Sequence, residues 1–155
     1  MSPAADPPDG SEVDEALVAL LAGDATLAGL MPDGVWFDVA AAEATAFVLV
    51  RLLEHEDEYS FQPGRPQETA TYVVEAICLE STGTATARAA GRRIHALLMT
   101  APLAIEAYAC LAVQRHGRIR LTTYDPTGDI RWQRRGGHYV ITVQPNQAIA
   151  EEKRV

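Results

Sequence analysis

The sequence predicts an α+β fold, in which helices pack on one face of a mostly antiparallel sheet. Apolar residues recur at helical spacing in two separate regions, 13–31 and 85–99. Apolar runs rich in β-branched residues lie between these regions and after them. The predicted order of elements is α-α-β-β-β-α-β-β. Strands that follow one another in this way are typical of an α+β fold.

The first predicted helix is amphipathic. Ser11 is a good residue to cap its N-terminus, and Gly23 suits a left-handed conformation just past its end. We interpret its apolar stripe as a face of the core, in preference to a groove for a partner. The stripe consists of Val13, Ala16, Leu17, Leu20 and Leu21.

A second, shorter helix is predicted to follow at once. Asp24 can cap its N-terminus. The sequence Pro32-Asp33-Gly34 is then a turn, because proline presets one dihedral angle and glycine accepts a positive φ. A strand is expected at 35–39. The apolar face of the second helix continues in Leu27, Leu30 and Met31.

The next two predicted strands, 46–53 and 69–79, form an antiparallel pair. The polar segment 55–68 between them holds three prolines or glycines and is predicted to be a long exposed loop. Hairpin loops normally have about two to five residues, so a loop of this length is expected to be functional or mobile.

A third helix is predicted over 85–99, followed by strands at 111–113, 119–124 and 137–143. The segment 115–117 is either a hairpin turn or a bulge, and 125–128 is a turn. The inner side of the helix is assigned to Ala85, Ala89, Ile94, Leu97 and Leu98, and its wet side to Arg88, Arg92 and Arg93.

The composition is that of one soluble globular domain. The chain has 155 residues, of which 48% are hydrophobic and 22% charged. No apolar run approaches the ~20 residues that span a bilayer, and the N-terminus does not resemble a secretory signal, so we expect no membrane partner. Cys78 and Cys110 fit no metal-binding spacing and are predicted to be buried free thiols.

We divide the chain into three parts. Residues 1–11 are rich in Pro, Asp and Ala and are predicted to form a flexible arm. Residues 12–144 form a single α+β domain, and 145–155 form a charged C-terminal tail.

Charge is distributed unevenly along the chain. Residues 1–80 carry 16 acidic and two basic side chains, whereas residues 81–155 carry five acidic and 11 basic ones. A subunit with both an acidic and a basic surface is suited to head-to-tail contacts that close into a ring. Ordinary solvated faces are the alternative interpretation.

Residue patterns that signal catalysis are not present. The sequence contains no GxSxG, GxGxxG, P-loop or HExxH pattern, so we predict neither an enzyme nor a cofactor. His55 lies among acidic residues, which would suit a metal ion. Consecutive loop residues rarely converge on one ion, so a solvated acidic loop is preferred and no metal site is predicted.

A basic stretch near the C-terminus is the stronger lead. Aromatic residues lie nearby, so single-stranded nucleic acid could stack there, but the chain is acidic overall. Arginine and tryptophan are also enriched at protein interfaces, and a protein interface is the preferred interpretation, with inert surface as a further alternative. The basic residues are Arg115, Arg118, Arg120, Arg131, Arg134 and Arg135.

The element order resembles the phage tail-completion family, which includes the tail terminators of long non-contractile-tailed phages and of gene transfer agents. The likeness covers most of residues 12–144. It is carried by ALVALLAGDATLAGLMPDGVWFD at 16–38, AFVLVRL at 46–52, YVVEAICLES at 72–81, ARAAGRRIHALLM at 87–99 and DIRWQRRGGHYVITV at 129–143.

The resemblance implies a structural virion protein without catalytic activity, assembled in the bacterial host cytoplasm and located at the head–tail junction. It would cap the tail tube as a hexameric ring, and its partners would be its own copies, the tail-tube protein and a head-completion or connector protein. DNA would pass through the channel without specific binding. A head-completion adaptor of the same particle and a small nucleic-acid-binding module are the alternatives.

Two segments are expected to form interfaces in such a ring. The 55–68 loop with its acidic neighbours would face an adjoining ring or the channel, and 131–135 would contact another subunit. The predicted interface residues are Glu54, Glu56, Asp57, Glu58, Phe61, Arg65, Arg131, Trp132, Arg134 and Arg135.

Overall fold

The structure, a computed structural model, describes residues 6–58, 66–100 and 102–146. The elements follow the predicted order and confirm the α+β fold, with a short 3-10 helix at Glu80–Thr82 as an addition. The helices are α1 (Ser11–Ala22), α2 (Ala25–Leu30) and α3 (Thr84–Thr100). The strands are β1 (Val35–Phe37), β2 (Ala46–Glu58), β3 (Gln67–Leu79), β4 (Tyr108–Tyr124) and β5 (Arg131–Pro145).

The five strands form one sheet in the order β1-β2-β3-β5-β4. β1 pairs with β2 in parallel, and the other three pairs are antiparallel. The short β1 forms one edge, and the 17-residue β4 forms the other. Among the described residues, no helix is long and apolar enough to cross a membrane.

The main core lies between the helices and one face of the sheet, which we call the helix side. The α1 stripe is confirmed as a core face, since Val13, Leu17 and Leu21 are fully buried and Ala16 and Leu20 pack against the core. The sheet contributes alternate residues of its three interior strands, β2, β3 and β5, as a half-buried pleated surface requires. These include Ala70, Tyr72, Val74 and Ala76 of β3, and Tyr139, Ile141 and Val143 of β5.

The opposite face of the sheet, which we call the outer face, carries a second and smaller cluster. Ala44, Phe47 and Ile77 are buried there, and Trp132 packs edge-on against Phe47 with ring centroids 6.3 Å apart. This cluster anchors the segment that leads into β2.

The helix caps differ in part from the prediction. Ser11 is the first helical residue, with Gly10 at the N-cap position, and its backbone N–H donates to Asp9 Oδ1 at 2.9 Å. Gly23 is right-handed, with φ −79°, because the chain changes direction at the extended Asp24 instead. Asp24 caps α2 as predicted, accepting from Leu27 N at 2.9 Å. Gly34 has the expected positive φ of 94°.

The prediction assigned the wrong residues to the buried side of α3 near its N-terminus. Ala87, Ala90, Ile94 and Leu98 are the buried residues, whereas Ala85 is exposed and Ala89 is half-buried. Residues four and seven positions before a buried helical residue lie on the same face of the helix. For the buried Ile94 these residues are Ala90 and Ala87. Alanine occupies four positions in this part of the helix, so the sequence does not distinguish its buried side from its exposed side.

The predicted loop at 55–68 is wrong over much of its length. β2 continues to Glu58 and β3 begins at Gln67, and their residues stay paired after a bulge at Leu53. The pattern failed here because this end of the pair is polar on both faces, whereas its backbone groups still form the ladder. Residues 59–65 lie outside the described part.

The last two strands are longer than predicted. β4 is continuous through 115–117, so this segment is a bulge and not a hairpin turn. β5 begins at Arg131 rather than at 137. Cys78 is buried and Cys110 half-buried, and both are free thiols, as the sequence indicated.

Candidate interaction surfaces

A groove opens on the helix side, where α3 lies across β5 and approaches β4. Gly91 brings the helix close, since a Cβ atom there would lie 3.0 Å from Arg135 Cβ. The groove has a volume of about 590 Å³.

The groove is lined by positive charge, and we call it the basic groove. The backbone register accounts for its composition, because the bulge at His116 places Arg115 and Arg118 on the same face despite their spacing of three residues. Arg120 and Arg135 then pair across the two strands on that face. The charged and titratable lining residues are Arg88, Arg92, His95, Arg115, Arg118, Arg120 and Arg135.

In the described part of the chain, no carboxylate forms an ion pair with an arginine of the basic groove. Arg135 Nε is buried and has no hydrogen-bond partner there. Burial is the main cause that lowers the pKa of His95, and the charges of Arg115 and Arg118 lower it further. Its Nδ1 lies 3.1 Å from the hydroxyl of Tyr139. The charge of the groove therefore favours the binding of an anion.

A row of carboxylates lies on the outer face at the far end of β2, and we call it the acidic row. Glu54, Glu56 and Glu58 are exposed and point to the same face, opposite Thr71, Thr69 and Gln67 of β3. A hydrogen bond with Glu54 and the charge of that residue raise the pKa of Glu56. Like charges at this spacing repel one another, so a cationic partner would stabilise the row.

The other charged cluster at this end of the sheet is on the helix side. His55, Asp57 and Glu68 bring one ligand atom each within 4.8 Å of one another, and are the described residues that could hold a metal ion. Glu68 Oε1 is already engaged, 2.7 Å from His55 Nε2 and accepting from the Tyr108 hydroxyl at 2.9 Å. His55 is therefore a paired strand residue and not part of a solvated loop. The arrangement ties β2, β3 and β4 together.

The predicted segment 131–135 does not form one surface, because alternate strand residues face opposite sides. Arg135 lines the basic groove, whereas Trp132 and Arg134 lie on the outer face. Arg134 is bound to the buried Glu75 of the same protomer, with Nε 3.1 Å from Oε2. Arg131 is exposed, 3.6 Å from Glu80 and over the ring of Tyr124.

The two charged surfaces were predicted only in part. Glu54, Glu56 and Glu58 were among the predicted interface residues, as was Arg135, while Asp57 lies on the helix side. Phe61 and Arg65 lie outside the described residues. The contribution of α3 was missed, although Arg88, Arg92 and His95 recur at helical spacing, because no local pattern indicates which strand a helix will cover.

No protein-family model and no curated protein sequence matches the chain. The fold is similar to that of a chain in a solved structure described as "Virion of native gene transfer agent (GTA) particle". The two chains are 19% identical, with a TM-score of 0.64, and the alignment covers 85% of this chain and 94% of that chain. The likeness thus extends over nearly the whole domain, and it establishes a common fold.

Proposed function

We propose that the protein is a structural subunit of a phage-like particle, which assembles into a ring on the end of the tail tube and forms part of the head–tail junction. The observation that carries the proposal is the common fold with a gene transfer agent virion chain over 85% of this chain. The role is that of a tail terminator, and it requires no catalytic step.

The distribution of charge supports ring formation. The acidic row and the basic groove lie on different strands and on opposite faces, so a contact between them joins two different surfaces. Contacts of this heterologous kind generate rings when the rotation between subunits closes. The number of copies that we propose is six.

The proposed partners follow from this role. They are further copies of the chain, the tail-tube protein on one side of the ring and a head-completion or connector protein on the other. DNA passes through the channel without specific binding, and the acidic side chains of the protein discourage phosphate from adhering. Assembly takes place in the bacterial host cytoplasm, and the protein remains in the virion.

The test is to polymerise purified tail-tube protein with and without this protein and to image the products by negative-stain electron microscopy. We expect rings at one end of tubes whose growth has stopped. Tubes that remain uncapped and continue to lengthen would contradict the proposal. Binding to a connector alone would favour the head-completion adaptor.

The basic groove favours one function of a different class, a small nucleic-acid-binding module. Six arginines around one groove could hold a phosphate backbone. Such binding would weaken steeply with salt, which fluorescence anisotropy with a labelled single-stranded oligonucleotide would measure. Tight, salt-dependent binding together with uncapped tubes would favour the module.

A further inference from the structure

We propose that the basic groove of one copy binds the acidic row of a second copy, which makes this pairing the head-to-tail contact of the assembly. The inference rests on the proposed function, since it names the surfaces through which the ring would form. The ligand of the groove is a second copy of this chain.

The two surfaces match in spacing as well as in charge. Glu54, Glu56 and Glu58 are alternate residues on one face of a strand, so neighbouring carboxylates are about 6.5 Å apart. Arg118 and Arg120 repeat at the same interval on β4. Arginine binds carboxylates through two parallel hydrogen bonds, which favours planar, in-register pairs.

The opposite wall of the groove supplies a second set of donors. Arg88 and Arg92 are one turn apart on α3 and line the groove across from β4. A strand bearing carboxylates that entered the groove would therefore meet guanidinium groups on both sides. Arg135 also lines the groove, and its buried Nε has no hydrogen-bond partner among the described residues.

The acidic row cannot reach the groove of its own chain. β3 and β5 lie between β2 and β4, so the two strands are about 14 Å apart across the sheet. Glu56 is in register, through Thr69 and Thr142, with Ala112 of β4, six residues before Arg118. The row also faces the outer side and the groove the helix side. Only a contact between copies can join them.

A carboxylate ligand accounts for more observations than a phosphate backbone does. A second copy would place its acidic row in the groove, whereas a phosphate backbone in the groove would leave the row without a cationic partner. The neighbouring Glu54 raises the pKa of Glu56, and no ion pair among the described residues includes Glu56. Each copy carries one row and one groove, so a closed ring pairs every row with a groove.

Charge reversal tests the contact. One variant reverses the row (Glu54→Lys, Glu56→Lys and Glu58→Lys), a second reverses the groove (Arg92→Glu, Arg118→Glu and Arg120→Glu), and a third combines all six changes. Self-association of the full chain is measured by sedimentation velocity at low ionic strength, where screening is weakest. Circular dichroism and thermal melting check that each variant folds.

We expect each single-surface variant to associate with itself ~100-fold more weakly than the wild type, because like charges then face each other. Mixing the two variants, or combining their changes in one chain, should restore association, because opposite charges meet again. The control variants Glu15→Lys and Arg131→Glu each reverse one charge of the same kind at an exposed position outside both surfaces and should associate like the wild type.

Three results would overturn the inference: a wild type that stays monomeric at low ionic strength, reversal variants that associate normally, or a loss that the combined variant does not restore. Oligonucleotide binding that the groove variant abolishes, with self-association unchanged, would assign the groove to nucleic acid. Tube capping is scored separately. If the reversal variants still cap tubes, this contact is refuted and the proposed function stands. If association is restored in the combined variant and neither it nor the wild type caps tubes, the contact stands and the proposed function is refuted.

Discussion

The carboxylate of Glu75 on β3, which is only 1% exposed, is bound by the guanidinium of Arg134 on β5. Arg51 on β2 lies on the other side of it, 3.9 Å away. The three side chains together join β2, β3 and β5 on the outer face of the sheet. Arg134 is thereby a residue with a structural role within the protomer, in addition to any contact that it makes with a partner.

Replacing Arg134 with methionine should destabilise the fold strongly. The apolar side chain keeps most of the volume but leaves the buried Glu75 charge with Arg51 alone. Breaking such a pair from one side is expected to reduce the free energy of unfolding by about 3 kcal/mol. Urea denaturation followed by circular dichroism measures the change.

Two further variants show whether burial of the charge is the cause. Arg134→Met combined with Glu75→Leu should be more stable than Arg134→Met alone, because no unpaired charge remains. Arg131→Met removes an exposed arginine of the same strand and should change the free energy of unfolding by about 0.5 kcal/mol or less. Equal losses in Arg134→Met and Arg131→Met would contradict this account.

The absence of a side chain at position 136 is a second requirement of this region. A Cβ atom at Gly136 would lie 2.0 Å from the carbonyl oxygen of Val74 and 2.6 Å from the Cα of Glu75. Gly136→Ala should therefore push β5 away from β3 and reduce the free energy of unfolding by about 2 kcal/mol or more. Thermal melting of the variant measures this loss.

Gly29 provides the matched control for that substitution. It lies in α2, and a Cβ atom there meets nothing within 4 Å. Gly29→Ala should leave stability unchanged or increase it by about 0.5–1 kcal/mol, since alanine favours the helix. A Gly136→Ala variant as stable as Gly29→Ala would refute the close approach.

The sequence predicted the parts of the fold that local patterns determine. The α1 stripe, the Asp24 cap and the Gly34 turn each depend on residues a few positions apart, and all three were confirmed. The paired end of β2 was missed because an exposed, polar strand has no apolar alternation. Its partners in β3 are nine to 17 residues away, and pairing at that distance is set by the sheet as a whole.

The candidate surfaces were predictable to a similar extent. The three residues of the acidic row lie within five positions of the sequence and were named as predicted interface residues, although most of that segment was predicted to be a loop. The basic groove combines α3 with β4 and β5, which come together only in the folded chain. The bulge at His116 also changes which face Arg118 occupies, and one extra residue in a strand is not visible in a periodic pattern. A count of alternating residues would have separated Arg115 from Arg118.

The ion pair between α2 and α3 should make stability depend on acid pH. Arg93 Nε and Nη2 lie 2.8 Å and 2.6 Å from the Asp24 carboxylate oxygens, and this hydrogen bonding lowers the pKa of Asp24 from 3.8 to about 2. A folded-state pKa below the unfolded one gives stability that is complete above about pH 4 and is lost as pH falls towards 2. Because Arg93 is 37% exposed, we expect a contribution of about 1 kcal/mol.

Substitutions of Asp24 separate the ion pair from the helix cap. Asp24→Ser keeps a side-chain oxygen for Leu27 N but removes the charge, so the pH dependence between 4 and 2 should become shallower. Asp24→Ala removes both and should lose about 1 kcal/mol more at neutral pH. Urea titrations at several pH values measure both effects. A pH profile that is unchanged in Asp24→Ser would show that Asp24 is not the titrating group.

His95 should report the charge of the basic groove. Burial and the neighbouring Arg115 and Arg118 lower its pKa below the ordinary value of 6.5. The unfolded chain therefore gains a proton before the folded one, so the free energy of unfolding should decrease as pH falls below about 6.5 and level off below the folded-state pKa.

Arg118→Gln should raise the pKa of His95, measured by NMR titration of its ring protons, because one repelling charge is removed. Arg131→Gln, which lies outside the groove over Tyr124, should leave it unchanged. A His95 pKa that responds equally to both substitutions would mean that net charge, and not the groove, sets it.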